Sequence, residues 1–181
     1  MSHSKQVNRT IDLSIHDVYR VVSGETFLLT DEGMVEPTES QIIEAERKVL
    51  PDGRVWARVG VRASQKELEE LSKEGEKPLA FQETYVSQPD EAGAFEVNST
   101  MELPLGMGTM ETHFVYAAVV EDAAAAWQAE YADSPQTAVE ATLTADVSVP
   151  LIAGRLEKHL LKTADTTVDN GLARIVNLSG A

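Results

Sequence analysis

The feature that most constrains the fold is an alternating strand that leads directly into a helical pattern near the C-terminus. Every second residue from Thr137 to Val149 suits a single face, and mostly polar residues fill the positions between them. A period of two predicts a strand with one buried face. Pro150 follows, and proline suits the first turn of a helix. We therefore expect the last strand of a sheet to be joined directly to a C-terminal helix.

Beyond Pro150 an apolar residue recurs at every fourth position, which predicts one long helix. These residues are Ile152, Leu156, Leu160, Ala164, Val168, Leu172 and Val176. Because each residue turns an α-helix by about 100°, the stripe drifts by roughly 40° at each step and winds around the helix. Such a helix can lie across a twisted, curved sheet. Asn170-Gly171 is the expected weak point, at which the helix can kink or stop.

The N-terminal region predicts a strand followed at once by a short helix. Residues 7–13 alternate between apolar and polar side chains, as in a half-buried strand. Ser14 and Asp17 then have the spacing of a capping box, which marks the start of a helix. Gly24 is expected to end or bend that helix.

A β-hairpin is predicted around Pro51-Asp52-Gly53. A three-residue loop with a left-handed Gly53 pairs Val49 with Val55, whereas a two-residue loop would set inward side chains opposite outward ones. The other expected pairs are Ala45 with Val59, Ile43 with Val61, Glu46 with Arg58 and Lys48 with Trp56. One consequence is that Arg47 falls on the apolar face.

Three more strands are predicted over residues 79–86, 95–103 and about 109–120, which gives seven strands in all. Two further helices are expected between strands of the sheet, one before the strand at 79–86 and one after the strand at about 109–120. The first runs from Ser64 to Glu74 and opens with a second capping box. The second runs from Glu121 to Tyr131 and contains four consecutive alanines, the best helix formers.

Charge and cysteine content exclude several classes of function. The 15 Lys and Arg residues face 30 Asp and Glu residues, so the net charge is −15. This balance disfavours nucleic acids and anionic membrane surfaces, because both are bound through cationic side chains. Without cysteine the chain has no disulfide, no thiolate nucleophile and no cysteine-ligated metal. No apolar run approaches the length of a membrane span, so we expect a cytoplasmic protein without an integral membrane segment.

The junction from Val147 to Glu157 resembles the final-strand-to-helix junction of an uncharacterised bacterial family in the START-like, Bet v 1-like (SRPBCC) superfamily. The segment from Leu13 to Val18 resembles the superfamily's usual entry into its first helix. The resemblance implies one START-like domain over residues 1–181 with an α+β helix-grip fold. In that fold a curved, seven-stranded antiparallel sheet wraps around a long C-terminal helix, and two short helices follow the first strand. It also implies a cavity between sheet and helix, which relatives use for lipids, sterols, polyketides or hormones, while others use the same surface for protein partners.

Four ionisable residues fall on strand faces that otherwise are apolar: Arg9, Arg47, Glu83 and His113. A buried charge needs a partner, water or a ligand. We therefore predict that Arg9 or Arg47 binds an acidic head group. The expected contacts for the rest of a ligand are Phe81, Tyr85 and Met101 on the sheet, with Leu156, His159 and Leu160 on the helix. The alternative is that these residues lie at strand ends or on the cavity rim, or that the arginines pair with Glu83.

These residues and the resemblance favour a non-enzymatic protein that binds a small hydrophobic or amphipathic, lipid-like ligand without a cofactor. A second hypothesis is a cyclase, dehydratase or hydrolase with Glu83 and His113 as acid–base residues. A third is a protein-interaction module with a collapsed cavity. No metal site is predicted, because neither His113 nor His159 has HExxH spacing or a third ligand nearby in the sequence.

Overall fold

The computed structural model describes residues 2–36, 41–62, 80–103, 106–120 and 134–180, which contain seven strands and four helices. In chain order they are β1 (His3–Ile11), α1 (Ile15–Val22), α2 (Glu25–Leu29), β2 (Gln41–Val49), β3 (Val55–Arg62), β4 (Ala80–Val86), β5 (Phe95–Glu102), β6 (Gly108–Ala118), β7 (Thr137–Val147), α3 (Ala153–Leu161) and α4 (Ala164–Ser179). The helices predicted over 64–74 and 121–131 lie outside the described residues.

The seven strands form one antiparallel sheet in the order β1-β7-β6-β5-β4-β3-β2. This confirms the predicted α+β architecture and strand number. We call the face that packs against the helices the inner face and the opposite one the outer face. The alternation of β7 is confirmed, since Val139, Ala141 and Leu143 are buried on the inner face while Glu140 is exposed on the outer face.

Two short helices follow β1, as expected. The Ser14 side chain accepts a hydrogen bond of 3.2 Å from the backbone N–H of Asp17 and so caps α1. Val18 and Val22 of this helix have no exposed surface. Gly24 separates the two helices and is the N-terminal cap of α2.

The hairpin between β2 and β3 has the predicted three-residue loop. Gly53 has a φ of +84°, a left-handed conformation that favours glycine, and Val49 pairs with Val55. The pairing expected for Ile43 is wrong, because a bulge between Ile42 and Glu44 places Ile42 opposite Val61. An inserted residue of this kind shifts the register of everything beyond it.

The C-terminal segment forms two helices instead of one. α3 begins only at Ala153, and the chain breaks at Lys162 and Thr163 before α4. The expected weak point at Asn170-Gly171 is wrong, since α4 continues through it. Leu161 and Ala164, on either side of the break, are both buried. At about 100° per residue a straight helix would also place them on one side, so the apolar pattern contained no signal for the break.

An aromatic cluster lies in the core between sheet and helices. The ring of Phe95 lies 4.9 Å from that of Tyr116, nearly parallel to it, and 5.1 Å edge-to-face from that of Tyr19. Both arrangements are favourable for aromatic pairs. This cluster joins α1 to the centre of the sheet, and the space beyond it is the cavity described next.

Candidate functional site

A cavity of about 350 Å³ lies between the inner face of β3–β6 and the helices α2 and α4. Most of its surface is apolar, and its walls include Val22, Phe27, Ala57, Val59, Phe114 and Ile175. Small side chains such as Ala57 and Gly171 on opposite walls leave space between the sheet and α4. The cavity can therefore hold a small apolar molecule.

A polar cluster interrupts the apolar wall at the sheet. Ser99 is almost fully buried; its Oγ accepts a hydrogen bond of 2.9 Å from Nε2 of Gln82 and lies 2.9 Å from Oγ1 of Thr84. The contact between the two hydroxyls uses one of their two hydrogens. The other hydrogen and the side-chain oxygen of Gln82 form no hydrogen bond with the described residues. The second amide hydrogen of Gln82 likewise has no partner among the described residues. Because Gln82, Thr84 and Ser99 all line the cavity, the cluster brings both donors and an acceptor to its wall.

Tyr116 is a second polar group in this wall. Its side chain is buried, and burial raises the pKa of its phenol, so the hydroxyl is neutral at physiological pH. A neutral phenol can donate a hydrogen bond. Tyr116 therefore adds a hydrogen-bonding group to the cavity without adding a charge.

Arg174 of α4 borders the cavity, but its guanidinium already donates hydrogen bonds to backbone oxygens. Its guanidinium donates hydrogen bonds to the carbonyls of Thr26, Phe27, Thr30 and Glu32, at 2.7 to 3.1 Å. Burial lowers the pKa of Arg174, although an arginine remains charged in proteins. Its role in the structure is to close the C-terminal end of α2, where helix carbonyls lack partners.

Gly171 lies on the cavity wall within α4. A Cβ placed there would meet no atom within 4 Å, and the residue has an ordinary helical backbone. A glycine inside a helix costs about 1 kcal/mol relative to alanine. Here its effect is to leave the cavity open on the helix side.

Among the predicted site residues on the sheet, Met101 lines the cavity. Arg47 lies on the inner face as predicted, but its Nε donates a 2.9 Å hydrogen bond to the carbonyl of Ser23. Arg9 also lies on the inner face, where it pairs with Asp169 at 2.8 Å and Asp165 at 3.1 Å on α4. Neither arginine is among the residues that line the cavity, and Glu83 is not the partner of either.

The prediction that Phe81, Glu83 and Tyr85 face the cavity is wrong. The inner face of β4 is formed by the alternate residues, which include Gln82 and Thr84. Both faces of β4 carry apolar or aromatic residues, so the alternation did not distinguish them. On the outer face the guanidinium of Arg58 lies 3.9 Å from the centre of the Phe81 ring.

His113 is also on the outer face of the sheet, 3.5 Å from the carboxylate of Glu96. The reason is that Phe114 and Tyr116, and not the apolar residues that alternate with them, occupy the inner face of β6. Glu83 and His113 therefore lie outside the cavity on two strands separated by β5. The acid–base pair of the enzymatic hypothesis is not assembled there.

The predicted residues of the C-terminal segment lie on α3, away from the cavity. Leu156 and Leu160 are half-buried, and Leu160 packs against the core. His159 is exposed. The cavity is bordered instead by α4, one helix further along the chain, because the break at Lys162 redirects the chain.

Glu157 is a buried charged residue that the sequence analysis did not single out as such. Its side chain has no exposed surface, accepts a hydrogen bond of 2.9 Å from the backbone N–H of Val147 and is hydrogen-bonded to Nδ1 of His3. These contacts, led by that with Val147, hold the pKa of the carboxyl below its usual range. The resemblance at Val147–Glu157 included this residue, but no periodicity marked it as buried.

No group of three or more His, Asp or Glu side chains suited to a metal ion occurs in the described part of the chain. Within the same ranges, no helix is long and apolar enough to cross a membrane.

Comparisons with known proteins concern the whole chain. No protein-family model and no curated protein matches the sequence. Among solved structures, a protein from Thermus thermophilus is 20% identical, with a TM-score of 0.56 over 98% of this chain and 99% of that chain. A START superfamily protein from Mycobacterium smegmatis is 16% identical, with a TM-score of 0.51 over 98% of each chain. The di-domain ARO/CYC protein BexL from the BE-7585A biosynthetic pathway is 15% identical, with a TM-score of 0.53 over 97% of this chain and 49% of that chain.

Proposed function

Because the chain has the START-like, Bet v 1-like (SRPBCC) helix-grip fold, we propose that it binds a small hydrophobic or amphipathic, lipid-like molecule in the cavity between the sheet and α4. The observation that carries this proposal is the cavity of about 350 Å³ with apolar walls around the Ser99 cluster. Ligand pockets typically measure about 300–1,000 Å³ and combine apolar walls with a few polar groups. An open cavity favours ligand binding over a collapsed interaction module.

The polar groups of the cavity suit a ligand with a neutral hydrogen-bonding group. The Ser99 cluster offers one hydroxyl hydrogen, the second amide hydrogen of Gln82 and one amide oxygen, and Tyr116 offers a neutral phenol. An alcohol or a ketone can use these groups directly, whereas a buried carboxylate needs a cation. Arg174, a cation that borders the cavity, is occupied by four backbone carbonyls.

This ligand differs from the acidic one that the sequence analysis expected. That expectation depended on an unsatisfied Arg9 or Arg47 in an apolar site. Arg9 is paired with Asp165 and Asp169, and Arg47 with the carbonyl of Ser23. Arg9 is ion-paired, Arg47 already donates a hydrogen bond, and neither residue lines the cavity, so we propose a neutral head group instead.

The test is displacement of a neutral fluorescent probe, Nile red, from the purified full-length protein. Matched series of straight-chain alcohols, methyl ketones and fatty acids are compared as competitors. We expect alcohols and ketones to displace the probe at concentrations at least about tenfold lower than acids of the same chain length, because the acid must lose its charge or its hydration. Ser99→Ala should reduce the advantage of alcohols over the corresponding alkanes.

A blocking variant with a matched control separates cavity binding from surface adsorption. Gly171→Leu places a side chain in the cavity, and we expect it to abolish displaceable binding. Gly154→Leu makes the same change in α3, outside the cavity, and should bind like the wild type. Wild-type binding by Gly171→Leu, or no displacement by any competitor, would contradict the proposal.

A further inference from the structure

One exposed face of α3 is basic although the chain as a whole is strongly acidic. Arg155, Lys158 and His159 of α3 and Lys162, its C-terminal cap, are all exposed. Their spacing of three, four and seven residues places them on one side of a helix. We call these four residues the basic face. They border a shallow depression with the beginning of β1.

The charged side chains of the basic face, those of Arg155, Lys158 and Lys162, form no hydrogen bond with the described part of the chain. None of the four residues forms an ion pair with another described residue. The acidic side chains nearby are occupied elsewhere: Glu157 is buried with His3 and Val147, and Asp165 pairs with Lys5 and Arg9. The basic face is therefore available to an anionic partner.

Two exposed apolar residues come directly before α3 in the chain. Leu151 is fully exposed and Ile152 is about half exposed. Leu151 also has a φ of +72°, a left-handed conformation that non-glycine residues rarely adopt. With helical spacing, Ile152 lies on the side of Arg155 and His159. Exposed apolar residues beside cations are typical of helices that lie in a membrane interface.

We propose that Leu151, Ile152 and the basic face form a peripheral docking surface for an anionic lipid bilayer. The cations contact the lipid phosphates while Leu151 and Ile152 enter the boundary between head groups and acyl chains. A soluble anion satisfies only the cations, and it leaves Leu151 and Ile152 in water. A bilayer satisfies both features at once.

The net charge of −15 does not prevent this contact. Charges separated by more than about 8 Å are largely screened at physiological ionic strength, so the local charge of the docking surface governs the contact. The sequence-based expectation that anionic membranes are disfavoured used the charge of the whole chain. In the structure, the cations Arg155, Lys158 and Lys162 lie close together along α3 and its C-terminal cap.

This inference does not depend on the proposed ligand. The docking surface and the cavity have no residue in common, and they lie against different C-terminal helices. Variants of one site can therefore be tested for the function of the other. The blocked variant Gly171→Leu should bind vesicles like the wild type.

The test is co-sedimentation of the full-length protein with vesicles. Vesicles of phosphatidylcholine are compared with vesicles that contain about 30% phosphatidylglycerol, at about 50 mM and about 500 mM NaCl. We expect binding to the anionic vesicles alone, and a loss of that binding at high salt. Lys158→Glu combined with Lys162→Glu should lower the partition coefficient at least about tenfold, because each basic residue near an anionic surface contributes about fivefold.

Matched controls change charge or apolarity elsewhere on the surface. Arg20→Glu combined with Lys48→Glu makes the same change in net charge at two exposed cations outside the docking surface. Leu151→Asn should weaken vesicle binding, whereas Val49→Asn, at another exposed apolar residue, should not. Circular dichroism and thermal unfolding establish that each variant is folded.

Three results would overturn the proposal. They are no binding to anionic vesicles at low salt, equal losses in the docking-surface and control charge variants, and unchanged binding by Leu151→Asn. A self-association in lipid-free solution that Lys158→Glu with Lys162→Glu abolishes would assign the surface to a second copy of the chain instead.

Discussion

The guanidinium of Arg174 lies over the ring of Phe27, 4.7 Å from its centre, and donates a 3.0 Å hydrogen bond to the carbonyl of the same residue. This contact joins α4 to α2, a helix of only five residues. Isolated helices of that length are unstable, because too few hydrogen bonds offset the cost of nucleation. Arg174 donates hydrogen bonds to carbonyls of α2 and of the residues after it, and α2 forms one wall of the cavity.

Replacing Arg174 should therefore destabilise the protein. We expect Arg174→Met to lower the free energy of unfolding in urea by about 2 kcal/mol or more, because four carbonyls lose hydrogen bonds from a charged donor. Arg174→Lys should rescue little of this, since one ammonium cannot reach the same set of oxygens as a guanidinium. Arg20→Met, at an exposed arginine, should cost less than about 1 kcal/mol. Equal costs at the two positions would contradict this account of α2.

The hairpin predicts different costs for two substitutions of Gly53. Its φ of +84° is unfavourable for side chains, above all for β-branched ones. We expect Gly53→Val to lower the free energy of unfolding by about 1 kcal/mol or more, and Gly53→Asn to cost clearly less, because asparagine tolerates this conformation. The Gln88 side chain, which a Cβ would contact, can move for both variants. Equal losses in urea unfolding would show that the left-handed turn is not what requires glycine.

Glu157 predicts a loss of stability in acid. Its hydrogen bonds with Val147 and His3 hold its pKa below the usual range in the folded protein. The ionised group therefore stabilises the fold above the pKa of the unfolded chain, and this contribution is lost as the pH falls below about 4.3 and through the folded pKa. Asp165 contributes with the same sign, because Lys5 and Arg9 lower its pKa.

The measurement is the free energy of unfolding between about pH 5 and pH 3. Glu157→Gln keeps the size of the side chain but does not titrate, so its slope against pH should be shallower than that of the wild type. Glu140→Gln, an exposed carboxylate on the outer face, is the matched control. A variant of Glu157 with the wild-type slope would mean that other groups determine acid unfolding.

The fold was predictable where a pattern allowed one solution. The alternation of β7 placed Val139 and Leu143 on the buried face, and the turn at Gly53 decided the register of the hairpin near the loop. The faces of β4 and β6 were not predictable, because both faces of each strand carry aromatic or apolar residues. On the outer face these include Phe81 in β4 and Val115 in β6. A strand buried on one side and covered by long side chains on the other has no clear alternation.

The site was harder to predict than the fold. Sequence reasoning found Met101 but missed the Ser99 cluster, since serine and threonine are ordinary on either face of a strand. It also missed Arg174, whose burial depends on the carbonyls of α2 about 140 residues earlier in the chain. Contacts between distant segments leave no local pattern in the sequence. The ionisable residues that alternation singled out, such as Arg9 and Arg47, therefore have protein partners outside the cavity.

The two C-terminal helices are expected to be essential for folding. Leu161, Val168, Leu172 and Ile175 are buried against the sheet, and each large apolar side chain contributes roughly 1.5–3 kcal/mol. Their sum approaches the whole stability of a typical domain, about 5–15 kcal/mol. A chain ending at Val149 should therefore show no cooperative unfolding transition by circular dichroism. A cooperative transition in that truncated chain would mean that the sheet, α1 and α2 form a sufficient core.

Gly171 links the stability of α4 to the openness of the cavity. We expect Gly171→Ala to raise the free energy of unfolding by about 0.5–1 kcal/mol, because alanine favours the helix and its methyl group meets no atom within 4 Å. Gly154→Ala in α3, where the nearest atom lies at 3.7 Å, tests whether the gain is that of any helical glycine. A destabilised Gly171→Ala would mean that the backbone itself needs glycine. If Gly171→Ala is more stable than the wild type and Gly171→Leu does not bind the ligand, then glycine at this position lowers the stability of α4 and leaves space for the ligand.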